Sequence, residues 1–398
     1  MLTLLVVALA STRGDAHKPI TSPYTYNEDV FPILRDRCGR CHVSGGVAPM
    51  SLMTYKDAFP WGESIRTELI AGHMPPGRTD QAAGTFRSPH ELTARELNVL
   101  MVWVTGGNPM GNGERPPPAV SLENSWPLGT PDLVVPMPSP FTIAADKTEE
   151  TQEIVLQTHT TGPQWVRAVD LLPGTPAIVR SATISVKAPA GRSTSAGEAS
   201  STPPEGVIAV ERLLAVWLPG DQPVALESGA AFELPAGAEL VLRVHYKKTW
   251  ENERVAMNDR SSVGLYFAPA AGTTLRALTI TPPDEAVRAS GSSISFSRTV
   301  AEDLEVVALY PDSSLVDVSI DMHAERPDGT RIELIRFRPQ RDWRKRYWFA
   351  KPVALARGSR ITVAATFSDV LLPPGAAPVV SKRPDASSLR LTLNVVGR

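Results

Sequence analysis

The only two cysteines of the chain lie in Cys38-Gly39-Arg40-Cys41, and His42 follows directly. Two thiols at this spacing can both reach one haem ring and add to its two vinyl groups, and the next histidine then reaches the iron as an axial ligand. A zinc knuckle would need more ligands nearby, and a thioredoxin-type redox pair would need a βαβ context, which the surrounding sequence lacks. The motif therefore predicts one covalently attached haem c, with His42 as the first axial ligand of its iron.

The second axial ligand must come from further along the chain, where the candidates are Met50, Met53, His73 and Met74. Met74 is the preferred ligand because two prolines follow it and restrict the loop that would hold its thioether. A His and Met pair raises the reduction potential of the iron and closes it to small ligands, which suits electron transfer. His73 remains the alternative and would give a lower potential, whereas Met50 and Met53 are expected to be flexible core residues.

The apolar spacing around the haem motif is helical from residue 27 to residue 107. Within it, Thr93 and Glu96 predict a capping box at the start of a helix that Gly106 and Gly107 end. Residues 108–140 are rich in proline and glycine, as in a stiff connector. After that connector the period of the apolar residues changes to two, for example over residues 240–246 and 361–367, which indicates strands.

These patterns predict a multidomain fold, with a small all-α domain followed by two antiparallel β-sandwich domains of jelly-roll type. The 398 residues exceed what one hydrophobic core usually serves. The predicted division is an export segment at 1–21, the all-α haem-binding domain at 22–112, a proline-rich linker at 113–140, and sandwiches at 141–270 and 271–398. Residues 188–206 are predicted to form an exposed loop because of their low complexity.

The overall composition is that of a globular protein, with 42% hydrophobic and 21% charged residues. The formal net charge of −2 offers no field that would attract nucleic acid, which is therefore not expected as a partner. The basic stretch 341–346 is expected to be a solvated strand edge. The apolar run 2–10 has the length of a signal-peptide core and is too short to span a bilayer. We therefore expect a periplasmic or otherwise exported protein with no transmembrane segment of its own.

Residues 26–107 resemble bacterial class I, mono-haem cytochrome c domains. The likeness rests on Asp-Val-Phe-Pro-Ile-Leu at 29–34, on the haem motif, and on Met74-Pro75-Pro76 after it. In particular, the segment is similar to those fused to copper type II, ascorbate-dependent monooxygenase-like domains of the peptidylglycine and dopamine monooxygenase kind. The resemblance continues through residues 165–179 and 235–246, and weakens towards the end of the chain.

The resemblance implies two copper sites, but this chain departs from their ligand pattern. In the family, an adjacent His pair with a third His holds one copper, and a His-x-His element with a Met holds the other, ligand types that suit copper in two oxidation states. Here Arg180 begins the dipeptide that stands in place of the His pair, and residues 312–314 read Asp-Ser-Ser in place of His-x-His. The last methionine, Met322, lies too early for the family's Met ligand. His245 alone matches, so copper is not expected.

Two other histidines could be imagined as substitute copper ligands. His323 alternates with polar residues on a predicted strand and is expected to face solvent, and His159 lies in a turn-like segment. For both, and for His245, a structural or surface role is expected.

The combined expectation is an exported mono-haem c-type cytochrome that transfers electrons and has no catalytic residue. Cys38, Cys41, His42 and Met74 would bind the haem, the last two as ligands of its iron. The monooxygenase-like region would then serve as a docking or scaffold module for redox proteins or for a larger membrane-associated redox complex. Two alternatives remain: a copper-dependent monooxygenase that receives electrons from its own haem, and a structural subunit of a larger redox complex.

Overall fold

The structure is a computed structural model and describes residues 20–77, 79, 85–87, 91–187, 213–226, 229–269, 272–289, 292–311, 318–340, 343–367 and 386–397. Its helices are α1 (Phe31–Arg37), α2 (Tyr55–Ala58), α3 (Gly62–Ala71), α4 (Ala94–Thr105) and α5 (Asp284–Ala289). A π-helical turn (Tyr26–Val30) precedes α1, and 3₁₀ turns lie at Phe59–Trp61 and Ala386–Ser388. None of the helices in the described part of the chain combines the length and the apolar character needed to cross a membrane.

The described residues also form 19 strands. They are β1 (Leu133–Pro136), β2 (Phe141–Ile143), β3 (Glu149–Gln157), β4 (Gln164–Leu172), β5 (Val179–Val186), β6 (Leu213–Trp217), β7 (Ala230–Leu234), β8 (Glu239–Lys247), β9 (Met257–Asp259), β10 (Ser262–Phe267), β11 (Thr273–Thr274), β12 (Arg276–Ile280), β13 (Ser293–Thr299), β14 (Leu304–Pro311), β15 (Val318–Glu325), β16 (Arg331–Phe337), β17 (Tyr347–Leu355), β18 (Arg360–Phe367) and β19 (Leu391–Gly397). All their pairings are antiparallel except that of β11 with β7.

The strands are arranged in four sheets of four or five strands and one two-stranded ribbon. The strand orders are β1-β10-β4-β7-β11, β3-β8-β5-β6, β12-β19-β14-β17, β13-β18-β15-β16 and β2-β9. One hydrophobic core draws its residues from the first two sheets, and a second core draws them from the third and fourth. Strand β8 shows why these segments form strands. Every second residue along its whole length is buried in the core that the first two sheets share.

A third core lies among the helices near the start of the chain. Tyr26 and Trp103 are fully buried there, and the Tyr26 hydroxyl donates to the backbone carbonyl of Leu52 at 2.8 Å. The predicted capping box is confirmed, since Thr93 caps α4 and exchanges two hydrogen bonds with Glu96. The predicted period-two strands within 240–246 and 361–367 are confirmed as β8 and β18. Local patterning therefore identified these elements correctly.

The predicted fold class, a small all-α domain followed by two antiparallel β-sandwich domains, is wrong. The described part of the chain is mostly β, with 40% of its residues in strands and 15% in helices, and its four small sheets form a β-propeller-like ring. The helical part is not a separate all-α unit, because the segment between α3 and α4 joins the sheets. Thr79 forms a bridge with Phe337 of β16, and Phe86 forms one with Phe349 of β17. Periodicity reports only the buried face of a local element, so it did not reveal this long-range pairing.

The prediction that the basic stretch 341–346 is a solvated strand edge is wrong at Arg346, which is 6% exposed. Its guanidinium donates to the carbonyls of Leu213 and Leu214 at 3.0 and 2.9 Å, and lies near the rings of Phe232 and Trp348. Arg346 thus ties the segment before β17 to β6 in another sheet. The predicted export segment up to residue 19, the loop at 188–206 and residues 312–314 lie outside the described residues.

Candidate functional site

The cysteine motif folds as a tight turn at the end of α1. The backbone N–H groups of Cys41 and His42 both donate to the carbonyl of Cys38, at 3.1 and 2.9 Å. A Cβ atom at Gly39 would lie 2.5 Å from the carbonyl oxygen of Arg35, a distance that real Cβ atoms do not adopt. Glycine at this position therefore lets the turn close against the last turn of α1.

Cys38, Cys41, His42 and Met74 all line one cavity, whose wall is mainly apolar. Helix α1 contributes Leu34, α3 contributes Ile65 and Leu69, and α4 contributes Leu100. The four residues that the sequence analysis assigned to the haem are thus brought together around a common space, although 36 positions separate Cys38 from Met74. The wall is completed by the loop after the motif and by residues near Met74.

His42 is oriented by a backbone carbonyl. Its Nδ1 lies 3.2 Å from the carbonyl oxygen of Met50. Burial lowers the pKa of His42, although the hydrogen bond to Met50 opposes this shift. The ring is therefore neutral at pH 7, donates its Nδ1–H to Met50, and keeps its lone pair on Nε2. This tautomer is the one that a metal-ligating histidine needs when its other nitrogen is held by a second group.

The two thiols are free and half-buried, and they belong to no disulfide. Burial raises the pKa of each thiol to about 12, so both are protonated at neutral pH. A thioredoxin-type centre needs a lowered thiol pKa, because the thiolate is the reactive form. The environment of Cys38 and Cys41 therefore does not suit thiol–disulfide exchange by the free thiols.

The side chains of Met74 and His73 lie in different surroundings. Met74 is half-buried and lines the cavity, whereas the imidazole of His73 lies at the surface, where its Nδ1 is 3.0 Å from Glu68 Oε2. Met50 also lines the cavity, and Met53 is a buried core residue at 5% exposure. The geometry therefore favours Met74 over His73 as a ligand that faces the cavity.

The far wall of the cavity comes from the β-rich part of the chain, which the sequence analysis did not predict. Residues 219–221, in the turn after β6, lie against the cysteine motif. The Cys41 thiol donates to the carbonyl of Pro219 with a separation of 3.5 Å, and Arg40 Nη1 donates to the carbonyl of Gly220 at 3.2 Å. No local pattern could signal these contacts, because about 180 positions separate the partners.

Three further residues of the β-rich part line the same cavity: Arg180 in β5, and Trp343 and Lys345 just before β17. The Arg180 guanidinium lies over the indole ring of Trp343, 5.5 Å from its centroid. Lys345 Nζ is 3.8 Å from Asp221 Oδ1. The cavity therefore carries charged groups of both signs on one side and the cysteine motif on the other.

The donor set fits a covalently attached haem better than a bare metal ion. In the described part of the chain, the only three His, Cys, Asp or Glu ligand atoms within 4.8 Å of one another belong to Asp321, His323 and Glu333. The two thiols and the His42 imidazole are thus not gathered around one point, as zinc ligands would be. Two thiols, a neutral imidazole and a thioether around an apolar cavity match the two attachment points and two axial ligands of haem c. When bound, the haem would supply an iron that cycles between ferrous and ferric states.

The residues considered as copper ligands lie apart from one another. His245 on β8 faces Thr151 and Ser181 on the neighbouring strands, and its Nε2 is 3.9 Å from a Glu149 carboxylate oxygen. His159 is exposed, as expected, and adopts a left-handed backbone conformation with φ 52°. His323 lies on the face of β15 opposite the buried Met322, as expected, where its side chain is 18% exposed.

The group of Asp321, His323 and Glu333 is not assigned as a metal site. Arg336 Nε donates to Asp321 at 2.7 Å, and Arg331 Nε donates to Glu333 at 2.7 Å. These two arginines offset the negative charge that would attract a cation. The group is therefore better described as an ion-pair network on one face of a sheet.

No protein-family model and no curated protein matches the chain. Among solved structures, an allantoicase is 8% identical over 63% of this chain and 78% of that chain, with a TM-score of 0.18. An oxalate decarboxylase is 6% identical over 67% of this chain and 77% of that chain, with a TM-score of 0.14. TM-scores this low carry no argument about fold or function.

Proposed function

We propose that the protein is a mono-haem c-type cytochrome that transfers electrons. The observation that carries this proposal is the cavity shared by Cys38, Cys41, His42 and Met74. The thiols would form the two thioether bonds to the haem, and His42 Nε2 would bind the iron while Nδ1 stays fixed on Met50. No catalytic residue is assigned.

Electron transfer is favoured over oxygen activation by the nature of the two axial ligands. A histidine and a methionine together occupy both axial positions, so that no open position remains for a small ligand. The same pair raises the reduction potential relative to two histidines. The mainly apolar wall of the cavity would reduce the contact of water with the haem, which limits reorganisation when the iron changes its charge.

The β-rich part would act as a docking or scaffold module that binds no catalytic copper. Its support is chemical: His245 has hydroxyl-bearing residues opposite it on both neighbouring strands, and hydroxyls are weak copper ligands. Electron donors and acceptors would be redox proteins, including those of a membrane-associated complex. Export to the periplasm or beyond belongs to the same proposal, because c-type haem attachment and the apolar run 2–10 both point there.

Haem staining after denaturing electrophoresis tests the proposal. The full chain is produced together with a c-type haem maturation system, and we expect the stain to stay with the polypeptide. The matched variants are Cys38→Ala with Cys41→Ala, which should abolish the stain, and Met74→Ala, which should keep it because the thioether bonds remain. Stain that leaves the wild-type chain on denaturation would reject the proposal.

A further inference from the structure

The strand that leads into the cavity is irregular at Arg180. In the pairing of β5 with β8, Val179 lies opposite Tyr246 and Ser181 lies opposite His245, so that Arg180 has no partner residue of its own in the register. Arg180 is therefore the extra residue of a β-bulge. Bulges re-aim a side chain and are common beside functional sites.

The bulge places the Arg180 side chain among the residues that line the cavity of the cysteine motif. Trp343 holds it there, since the guanidinium stacks over the indole ring with a 5.5 Å separation from the centroid. Stacking of this kind suits arginine because its guanidinium is planar and more weakly hydrated than an ammonium. The charge is thus held in place by a rigid aromatic surface.

Arg180 lines the same cavity as Cys41 and His42, so its positive charge lies on a wall that the cysteine motif faces. A charge held on that wall acts on any group bound between the wall and the motif.

We propose that Arg180, a residue of the β-rich part, raises the reduction potential of the haem held by Cys38, Cys41 and His42 through its positive charge. The inference rests on the proposed function. Ferric haem carries one more positive charge than ferrous haem, so a fixed cation beside it favours the ferrous form. The low dielectric of the apolar cavity strengthens this effect.

Potentiometric titration of the full haem-loaded chain tests the inference. We expect Arg180→Gln to shift the midpoint potential to lower values, and Arg180→Lys, which keeps the charge, to stay close to wild type. Arg276→Gln is the matched control, because Arg276 pairs with Glu302 at the surface and does not line the cavity. Haem staining accompanies every sample, so that loss of haem is not mistaken for a shift in potential.

The outcomes separate the two proposals. Absence of covalent haem in the wild-type chain would overturn the proposed function. If Arg180→Gln keeps its haem and has the same midpoint potential as Arg276→Gln, the inference is overturned and the proposed function is not. If Arg180→Gln does not retain haem, the Trp343→Leu variant tests the inference instead. It removes the ring that holds the Arg180 guanidinium against the cavity and keeps the charge of that guanidinium. A lower potential in that variant supports the inference, and an unchanged potential overturns it.

Discussion

Gly220 of the β-rich part lies against the cysteine motif, and an alanine there should weaken that contact. The residue adopts φ +82°, a left-handed conformation that L-residues rarely take. A Cβ atom at this position would lie 3.2 Å from Arg40 Cβ and 3.7 Å from Cys41 Sγ. Gly220→Ala therefore meets both a backbone penalty and a steric one.

The two penalties can be separated with Gly129, which has φ +80° and open space where a Cβ would stand. Left-handed backbone costs an alanine about 1–2 kcal/mol, and this cost applies to both variants. Crowding of a packed contact costs about 1–3 kcal/mol more, and it applies to Gly220→Ala alone. If the turn retracts instead, the exposed hydrogen bond from Arg40 to the Gly220 carbonyl is lost, at a cost of about 0.5–1.5 kcal/mol.

The assay is urea unfolding of the haem-loaded chain, followed by far-UV circular dichroism and by haem absorbance. We expect Gly220→Ala to lose about 1–3 kcal/mol more than Gly129→Ala, with the difference concentrated in the haem signal. Equal losses in the two variants would show that the turn after β6 does not press on the motif, and would refute the two-sided cavity.

Three further outcomes follow from single groups. Met74→Ala should abolish the thioether-to-iron charge-transfer band of the ferric protein and lower its potential, whereas His73→Ala should do neither; the reverse result in absorption spectra would exclude Met74 as ligand. Burial raises the pKa of Asp170 from 3.8 to about 6, so the folded state binds this proton more tightly, and stability falls as pH rises from about 4 to 6. Asp170→Asn should remove that loss, worth about 3 kcal/mol at pH 7, in urea midpoints measured across pH; an unchanged profile would contradict it. Tyr246→Phe removes a hydroxyl that donates to the buried carboxylate of Asp259 at 2.9 Å, and it should lower the free energy of unfolding by about 2 kcal/mol. Tyr266→Phe removes a hydroxyl that donates to the backbone carbonyl of Gly129, and it should lower the free energy of unfolding by about 1 kcal/mol. Equal denaturation midpoints for the two variants would contradict this ranking.

The parts of the molecule that local chemistry determines were predictable. The capping box of Thr93 and Glu96 and the alternation along β8 were read from spacing and are present in the structure. The prolines after Met74 favour it over His73; the structure places Met74 on the cavity wall, and its role as a ligand stays a prediction. Each of these features depends on residues that are close together in the chain, which is why spacing along the sequence could predict it.

The parts that depend on distant contacts were not predictable. A basic and aromatic stretch looks the same in sequence whether it lies in solvent or, as with Arg346, donates to buried carbonyls of another sheet. Thr79 and Phe86 carry no strand pattern that would reveal their bridges to β16 and β17. From the sequence, Arg180 is only the residue that stands in place of a copper-binding histidine, because one sequence gives no sign that a bulge directs its side chain to the cysteine motif.

A redox titration of the haem-loaded chain, monitored by its absorption spectrum, tests the central claim most directly. The proposed electron carrier predicts one reversible one-electron transition, with a six-coordinate, low-spin spectrum in both oxidation states and no spectral change when carbon monoxide is added to the ferrous protein. A five-coordinate ferrous haem that binds carbon monoxide, or a chain without a redox transition, would contradict it.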